Sequence, residues 1–426
     1  MLRYLTAGES HGPQLTAIVS GVPAGLTLRA KEIDHDLRRR QGGYGRGGRM
    51  KIEADRVRIV SGVRHGRTLG SPITLILENK DWRNWEAIMS PEPLEATAQA
   101  ELDSEPALGE PRGEGPRREI TRPRPGHADL AGAQKFAQTD ARNVLERASA
   151  RATAAQVAVG AVCKRLLAEF GMRVISHVVN LGGIPADAAG LSYETIAERA
   201  EASSVRVADP AVERAMMELI DACKREGDTV GGIFEVIVTG VPVGLGNVMN
   251  WDEKLDGMIG RAIMSMQAIK GVEIGGGFRA AVRRGSEVHD AIYFSDDPGE
   301  MPPGHGPTGG FYRRTNNAGG LEGGMTNGEP IVVRVAKKPI STLMRPIPSV
   351  DLATRQPADS SKERSDVCAL PAAAVIGEAL VAYAVAWAFL EKFGGDSLAE
   401  VRRNYEGYVR SLSARAPAEP RPAGQT

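Results

Sequence analysis

An internal repeat constrains this chain more than any single motif. Residues 8–23, GESHGPQLTAIVSGVP, return as residues 227–242, GDTVGGIFEVIVTGVP, at an offset of 219 (227 against 8). The continuation GVPAGL from Gly21 matches GVPVGL from Gly240. A second pair follows in the same order, ERASARATAAQVAVGAV from Glu146 and ERSDVCALPAAAVIGEAL from Glu363, offset 217 (363 against 146). Self-similarity at a fixed long spacing belongs to the whole fold and is read first. It predicts an internally duplicated α+β protein. One domain spans residues 1–410, with pseudo-symmetric halves of about 1–220 and 221–410, and the Pro- and Ala-rich tail 411–426 is expected to be disordered.

Each half reads as a strand ending in a Pro-Gly turn, a helix, further strands, and a long Ala-rich helix. In the first half Leu15–Ser20 is a strand and Lys31–Gln41 a helix stopped by Gly42-Gly43. Short strands between Lys51 and Glu78 are broken at Gly62, Gly66 and Gly70-Ser71-Pro72. Apolar positions from Ala141 to Leu166 step by three and four, the spacing of one continuous buried helix face. In the second half, Val367–Leu390 is long enough to span a bilayer. Its small faces, Pro371, Glu378 and its match to the first-half helix predict a helix buried in protein, with no membrane. Segments 103–125 and 295–328, rich in Gly and Pro, read as long loops or lids, and His305 in the second fits either a lid or an inert position.

Net charge is zero, from 53 Lys and Arg against 53 Asp and Glu. Within that balance Arg outnumbers Lys by 41 to 12. Codon bias explains scattered arginines, so clustering decides which matter. Nine lie between Arg38 and Arg67, around the Gly-rich run RRRQGGYGRGGRM, and five more between Arg112 and Arg124. The G-x-G-x-x-G from Gly43 follows a helix and opens none, which removes the dinucleotide-fold reading. A flexible loop bearing Arg40, Arg46 and Arg49 suits bidentate recognition of phosphate and carboxylate. Nucleic-acid binding by such loops is countered by the neutral total and the scarcity of Lys. Cys163, Cys223 and Cys368 form neither a metal spacing nor a disulfide framework. No secretory signal opens the chain, and a reducing, cytoplasmic location is expected.

The repeat also sorts the candidate catalytic residues. The second half keeps the Gly frame of GESHG but replaces Ser10 by Thr229 and His11 by Val230. A turn that folds without an imidazole in one half points to chemistry for His11 in the other. Arg147 matches Arg364 and Ser149 matches Asp366, so a pseudo-twofold would bring two Arg-bearing helix starts to one region. Such starts favour an anionic ligand, and Asp366 amid positive charge stays ionised and available as a base. An ordinary Glu/Arg surface pair at each helix start is the alternative. His127, in RPGHAD after an Arg-rich loop, is either a helix cap or a catalytic group.

Together these motifs resemble the chorismate synthase family. GESHG with PQLTAIVSGVPAGL, ERASARATAAQVAVGA and RSDVCALPAAAVIGEA are similar to its three recurrent motifs. RRRQGGYGRGGRM, RPGHAD, SMQAIKGVEIG, GGMTNG and KKPIST fall in the family's order, covering about residues 1–395. The resemblance implies a β-α-β sandwich with long central helices, a homotetramer, and a small-molecule substrate, 5-enolpyruvylshikimate 3-phosphate. That substrate would lose phosphate by 1,4-elimination to give chorismate, with reduced FMN and no net redox change. His11 would protonate the departing phosphate, His127 would hold or protonate the flavin near N1, and Asp366 would assist proton removal through flavin N5. Ser10 and Arg49 would contact substrate. Arg147, Ala148, Ser149, Gln267, Ala268, Gly323, Lys338, Pro339, Ile340, Ser341, Thr342 and Arg364 would contact flavin. Arg40 and Arg46 match positions assigned to NADP. The family includes members that reduce their flavin with NADPH. With no appended reductase domain visible, dependence on an external reductant is expected. The alternatives are another flavin enzyme with net NADPH turnover and, more distantly, an Arg/Gly nucleic-acid-binding protein.

Overall fold

The computed structural model describes residues 1–47, 54–93, 119–361 and 365–413. Two antiparallel sheets carry most of its strands. The first comprises β1 (Arg3–Ala7), β2 (Gln14–Ser20), β3 (Val57–Ser61) and β4 (Ile73–Glu78), in spatial order β1-β2-β4-β3. The second comprises β5 (Arg173–Leu181), β6 (Ile184–Pro185), β7 (Gly232–Thr239), β8 (Ile269–Ile274) and β9 (Ile331–Lys337), in order β6-β5-β7-β9-β8. Without the two-residue edge strand β6, both sheets run first, second, fourth, third in chain order.

At the turns after β2 and β7 the backbone repeats this correspondence. Gly21 and Gly240, matched in sequence, both take positive φ (86° and 71°). A Cβ would stand 2.4 Å from the Met1 carbonyl oxygen at the first and 2.5 Å from that of Gly171 at the second. Only glycine fits where the chain turns so closely over the segment leading into the neighbouring strand.

Alternation decides which face of each sheet is covered. Leu15, Ala17 and Val19 on β2 and Ile73, Leu75 and Leu77 on β4 point inward and are buried. Phe234, Val236 and Val238 on β7 and Ile331, Val333 and Val335 on β9 do the same. These faces close on helices α1 (Ala30–Gln41) and α4 (Thr153–Ala168) on one side, and α6 (Leu255–Met264) and α7 (Leu370–Phe393) on the other. α4 and α7 pack against each other at the centre. Gly160 permits that approach, since a Cβ there would lie 2.2 Å from the Cβ of Ala379. α7 is apolar all round, and among the described residues only this helix is long and apolar enough to cross a membrane; most of it is buried inside the protein.

One carboxylate interrupts the central helices. Glu378, 0% exposed, accepts from Arg39 Nη1 and Nη2 at 2.7 Å, from Lys164 Nζ at 2.6 Å and from Ser176 Oγ at 2.7 Å. Burial pushes its carboxyl up, but the Lys164 and Arg39 charges outweigh this and hold it well below the usual carboxylate range. Arg39 lies on α1, Lys164 on α4 and Ser176 on β5, so this one side chain ties both halves together.

Three sequence expectations are corrected. The helix face from Ala141 to Leu166 is not continuous: α3 (Arg142–Ala148) ends at Ser149, a 3-10 turn follows, and α4 starts at Thr153. Ser149 adopts extended ψ (144°) and its side chain accepts from the backbone of Arg151, which caps the new turn. The segment 295–328 is not one loop, because it contains strands Phe311–Arg313, Leu321–Glu322 and Met325–Thr326. Residues 411–413, expected in the disordered tail, are helical as the end of α8 (Leu398–Ser413), and residues 414–426 lie outside the described residues. Most of the loop 103–125 also lies outside them.

Candidate active site

The GESHG turn joins β1 to β2. Gly8 takes positive φ (107°), with no room for a Cβ beside the Gln14 carbonyl oxygen at 2.3 Å. Buried Asn79 closes the turn by donating from Nδ2 to the Gly12 carbonyl at 3.0 Å. His11 is thereby pressed against α3. Its backbone N–H donates to Glu146 Oε2 at 2.9 Å, and its Nδ1 stands 2.9 Å from Oε1 and from Oε2. Glu146 is 1% exposed and also accepts from Arg142 at 3.3 Å. Burial pushes its carboxyl up, but hydrogen bonds from His11 and the His11 and Arg142 charges bring it below the usual range. The Trp85 ring stacks on the imidazole at 3.7 Å. Ser149 Oγ donates to Ser10 Oγ at 3.2 Å. Arg147 bonds the Thr6 carbonyl at 3.0 Å and its hydroxyl at 2.8 Å, fixing the end of β1. Half-buried Ala148 lies between them.

His127 has a similar arrangement. Gly126 (φ 79°) turns the chain before α2 (Asp129–Phe136), and His127 Nδ1 bonds Asp129, which is 0% exposed. Arg124 donates to the other oxygen of Asp129 at 2.9 Å and reaches Thr342 Oγ1 at 3.0 Å. Burial raises the Asp129 carboxyl, but hydrogen bonds from His127 and Arg124 outweigh it and hold the group well below its ordinary value. The Gly126 carbonyl accepts from Lys338 Nζ and from Ser341 Oγ, the latter at 3.1 Å. Burial and the neighbouring Lys270 charge push the Lys338 amine down. Lys338 N–H donates to the Ala268 carbonyl at 2.9 Å, and Ala268 takes left-handed φ (66°). Thr229 Oγ1 donates to the Ile340 carbonyl at 2.7 Å. The Lys338–Thr342 loop, Gln267-Ala268 and the RPGHAD turn are thus one constellation. Pro339 joins Asn180, Thr229, Gly231 and Lys337 around a cleft of about 280 Å³ at its edge.

Asp366 stands before α7. It accepts from Gly47 N–H at 2.6 Å and pairs with Arg46 Nη1 at 3.0 Å. The Gly-rich loop owes its composition to this docking. A Cβ on Gly43 would meet Pro371 at 2.9 Å, and one on Gly45 would meet Cys368 at 3.0 Å. Arg40 is buried, donating to Thr153 Oγ1 at 3.0 Å and to the Ala150 carbonyl at 2.9 Å. The eight residues from Arg40 to Gly47, seven peptide steps, therefore reach from the start of α4 to the start of α7, a span of at most about 25 Å for extended chain.

The two histidine corners are connected through α2 and α3, which pack so closely that a Cβ on Gly132 would lie 2.2 Å from Val144. Gly323 stands apart, in the hairpin Leu321–Thr326 beside Val248. Arg49 and Arg364 lie outside the described residues. His305 contacts Glu329 at 3.3 Å and Thr308 at 3.0 Å, away from both corners. Sequence reasoning missed Glu146, Asp129, Arg142 and Trp85, and had Arg124 only as one of five clustered arginines. Their only sequence signals are the Arg142/Glu146 spacing of four and the two-residue spacing of His127 and Asp129, patterns that equally describe an exposed helix pair and a turn.

Two imidazoles, each with Nδ1 on a buried carboxylate, stand beside loops that carry Arg and Lys, an arrangement suited to acid–base chemistry on an anionic small molecule. Comparison with known proteins is more specific. The chorismate synthase family model matches residues 2–390, and the chain belongs to that family. Chorismate synthase of Geobacter metallireducens is 56% identical over 412 residues, covering 97% of this chain and 99% of that protein. Chorismate synthase of Symbiobacterium thermophilum is 55% identical over 415 residues, covering 97% and 100%. A crystal structure of chorismate synthase matches with TM-score 0.73 and 42% identity, over 97% of this chain and 98% of that one.

Proposed function

We propose that this chain converts 5-enolpyruvylshikimate 3-phosphate to chorismate by 1,4-elimination of phosphate, in the shikimate pathway of aromatic amino acid biosynthesis. The observation that carries this reading is the pair of carboxylate-backed histidines on a scaffold of this family. Loss of phosphate needs a proton at the departing oxygen, and His11 supplies it. An ionised Glu146 only accepts, so the hydrogen on Nδ1 is held and the transferred proton leaves from Nε2. Asp366, kept as an acceptor by Arg46 and the Gly47 N–H, assists removal of the ring proton. Ser10 contacts the substrate, with Arg49 as the bidentate partner for its anionic groups.

The residues available fit a flavin. Gln267 Oε1 is buried with no hydrogen-bond partner among the described residues, beside Ala268 in a left-handed conformation, and Lys338 and Ser341 offer donors at the same place. Gln267, Ala268, Lys338, Pro339, Ile340, Ser341 and Thr342 would hold reduced FMN, with His127 at its polar edge; Arg147, Ala148 and Ser149 and, beyond the described residues, Arg364 extend the set, and Gly323 joins it if its hairpin approaches. When bound, the reduced flavin supplies electron density that the elimination borrows and returns. NADPH is the candidate reductant, supplied from outside, with Arg46 the more accessible of its two assigned contacts because Arg40 is turned inward. The enzyme is cytoplasmic and homotetrameric in this reading, and exposed Leu5 and Ile18 on the outer face of the first sheet are the candidate place for a contact between copies.

An anaerobic assay with photoreduced flavin tests the proposal. Chorismate should form without stoichiometric flavin oxidation. No product would sink the reading, and steady NADPH consumption coupled to product would replace it with an oxidoreductase.

A further inference from the structure

We propose that Glu146 is a positioning residue that fixes the proton of His11 on Nδ1 and thereby commits Nε2 to proton transfer. The inference rests on the reading of His11 as the general acid. One carboxylate receives three contacts from one residue: the His11 backbone N–H at 2.9 Å and Nδ1 at 2.9 Å from each oxygen. Arg142, at 3.3 Å, is the more distant partner, so the geometry is not that of a helix ion pair with a histidine nearby. Because both His11 donors face an acceptor-only group, the neutral ring has one tautomer that satisfies the site. A flipped ring would turn a C–H towards Glu146 and strip a buried carboxylate of its partner, which is costly in an interior.

Two further contacts restrict the ring. Trp85 lies against it with an interplanar angle of 25°, blocking one face, and the Arg142 guanidinium stands 5.5 Å from the Trp85 ring. The Ser10 N–H donates to the Glu146 carbonyl at 3.0 Å, so the backbone of the GESHG turn is registered on the residue whose side chain holds the imidazole. In the second half the corresponding turn donates from Val230 N–H to the Val367 carbonyl, and it carries no ring to orient. Both turns are therefore tied to the segment around the start of a central helix, through Glu146 in one half and through Val367, the match of Ala150, in the other, and the carboxylate–imidazole contact is the addition of the first.

Glu146→Gln preserves shape but places an amide NH₂ where one of the two His11 donors now finds an oxygen. Wild type, Glu146→Gln, His11→Ala and the double variant should be compared for kcat, for KM and for flavin affinity. Glu146→Gln is expected to lower kcat on the order of 100-fold, out of the roughly 10²–10⁴-fold that general acid catalysis supplies, with KM and flavin affinity little changed. In the His11→Ala background the same substitution should have no further effect. The ¹⁵N spectrum of the His11 ring, assigned by its loss in His11→Ala, should show a proton on Nδ1 in wild type and mixed tautomers in Glu146→Gln. Unchanged kcat in Glu146→Gln, an equal drop in both backgrounds, or a neutral wild-type ring whose single proton sits on Nε2 would each overturn the proposal. If His11→Ala itself retains turnover, the general-acid reading fails while the tautomer still decides whether Glu146 holds the ring. Should Glu146→Gln not fold, the wild-type tautomer alone decides.

Discussion

The two halves of this molecule use one backbone plan for different work. The turns Gly8–Gly12 and Gly227–Gly231 occupy matched places before β2 and β7, and Gly8 and Gly227 both take positive φ. In the first, Ser10 and His11 face the start of the helical segment, where Ser149 and Glu146 meet them. In the second, Thr229 supports the Ile340 carbonyl and Val230 is apolar and buried. The second turn supports the Lys338–Thr342 loop, and the first carries an imidazole held by a buried carboxylate. The comparison teaches that the imidazole is an addition to a turn that folds without it.

The largest effect should come from removing that addition. His11→Ala is expected to cost about 10²–10⁴-fold in chorismate formation, the range of a lost general acid. The protein should remain folded, at a penalty of about 1–3 kcal/mol for the partner removed from buried Glu146. Loss of the fold on thermal unfolding would contradict the lesson of Val230. The reciprocal Val230→His should add no activity, because the helix start it faces offers Asp366 already paired to Arg46.

Next in size is the contact that ties the halves together. Glu378→Ala leaves Arg39, Lys164 and Arg206 around an empty place in the core, and breaking a buried pair this way costs about 3–5 kcal/mol. Glu378 also sets a pH dependence. Its folded carboxyl lies well below the unfolded value of about 4.3, so its contribution is complete above that pH and is lost as pH falls towards the folded value. Asp129 and Glu146, depressed in the same direction, add to the same acid limb. Urea midpoints measured from pH 7 downward should fall below about pH 4.3, less steeply in Glu378→Gln.

At the helix crossing, Gly160→Ala forces a methyl group into Ala379 and should destabilise by about 1–3 kcal/mol, an overpacking cost. Because the crossing lies between the halves and away from His11, turnover per folded molecule should hardly change. A large fall in kcat with normal stability would instead show that the helix starts are set by the crossing.

Much of this was legible in the sequence because repeats, glycines and apolar periodicity report backbone geometry directly. Gly42 ends α1, the burial of α7 followed from its match to the first half, and the spacing from Leu15 to Ser20 marked β2. The failures share one cause. Ser149 broke a helix whose apolar spacing continues without interruption, since a side-chain cap does not alter hydrophobic periodicity. Glu146 was missed because its partner His11 is brought by tertiary packing across 135 residues of chain, and Asp129, whose partners His127 and Arg124 are local, was missed because so short a spacing equally describes an ordinary turn. Arg40 was read as a ligand contact from clustering, which cannot distinguish an arginine pointing outward from one folded against Ala150 and Thr153.

The smallest expected effect concerns the outer faces of the two sheets. Ile18 on β2 and Ile237 on β7 are matched residues of the same type, yet Ile18 is 42% exposed and Ile237 3%. The difference arises from α5 (Tyr193–Ala202), which lays Ile196 over Ile175 and Ile237. No such helix covers the first sheet among the described residues, where Leu5, directly opposite Ile18, is 70% exposed. Ile18→Ser should therefore alter the stability of the isolated chain by no more than about 0.5 kcal/mol, as for other surface substitutions. The same change at Ile237 removes packing from a closed cluster and should be plainly destabilising. If the open face is where copies of the chain meet, as the homotetramer reading requires, Ile18→Ser combined with Leu5→Ser should lower the mass measured by light scattering while the monomer fold persists. An unchanged mass would place the contact elsewhere and leave the two faces differing only in exposure.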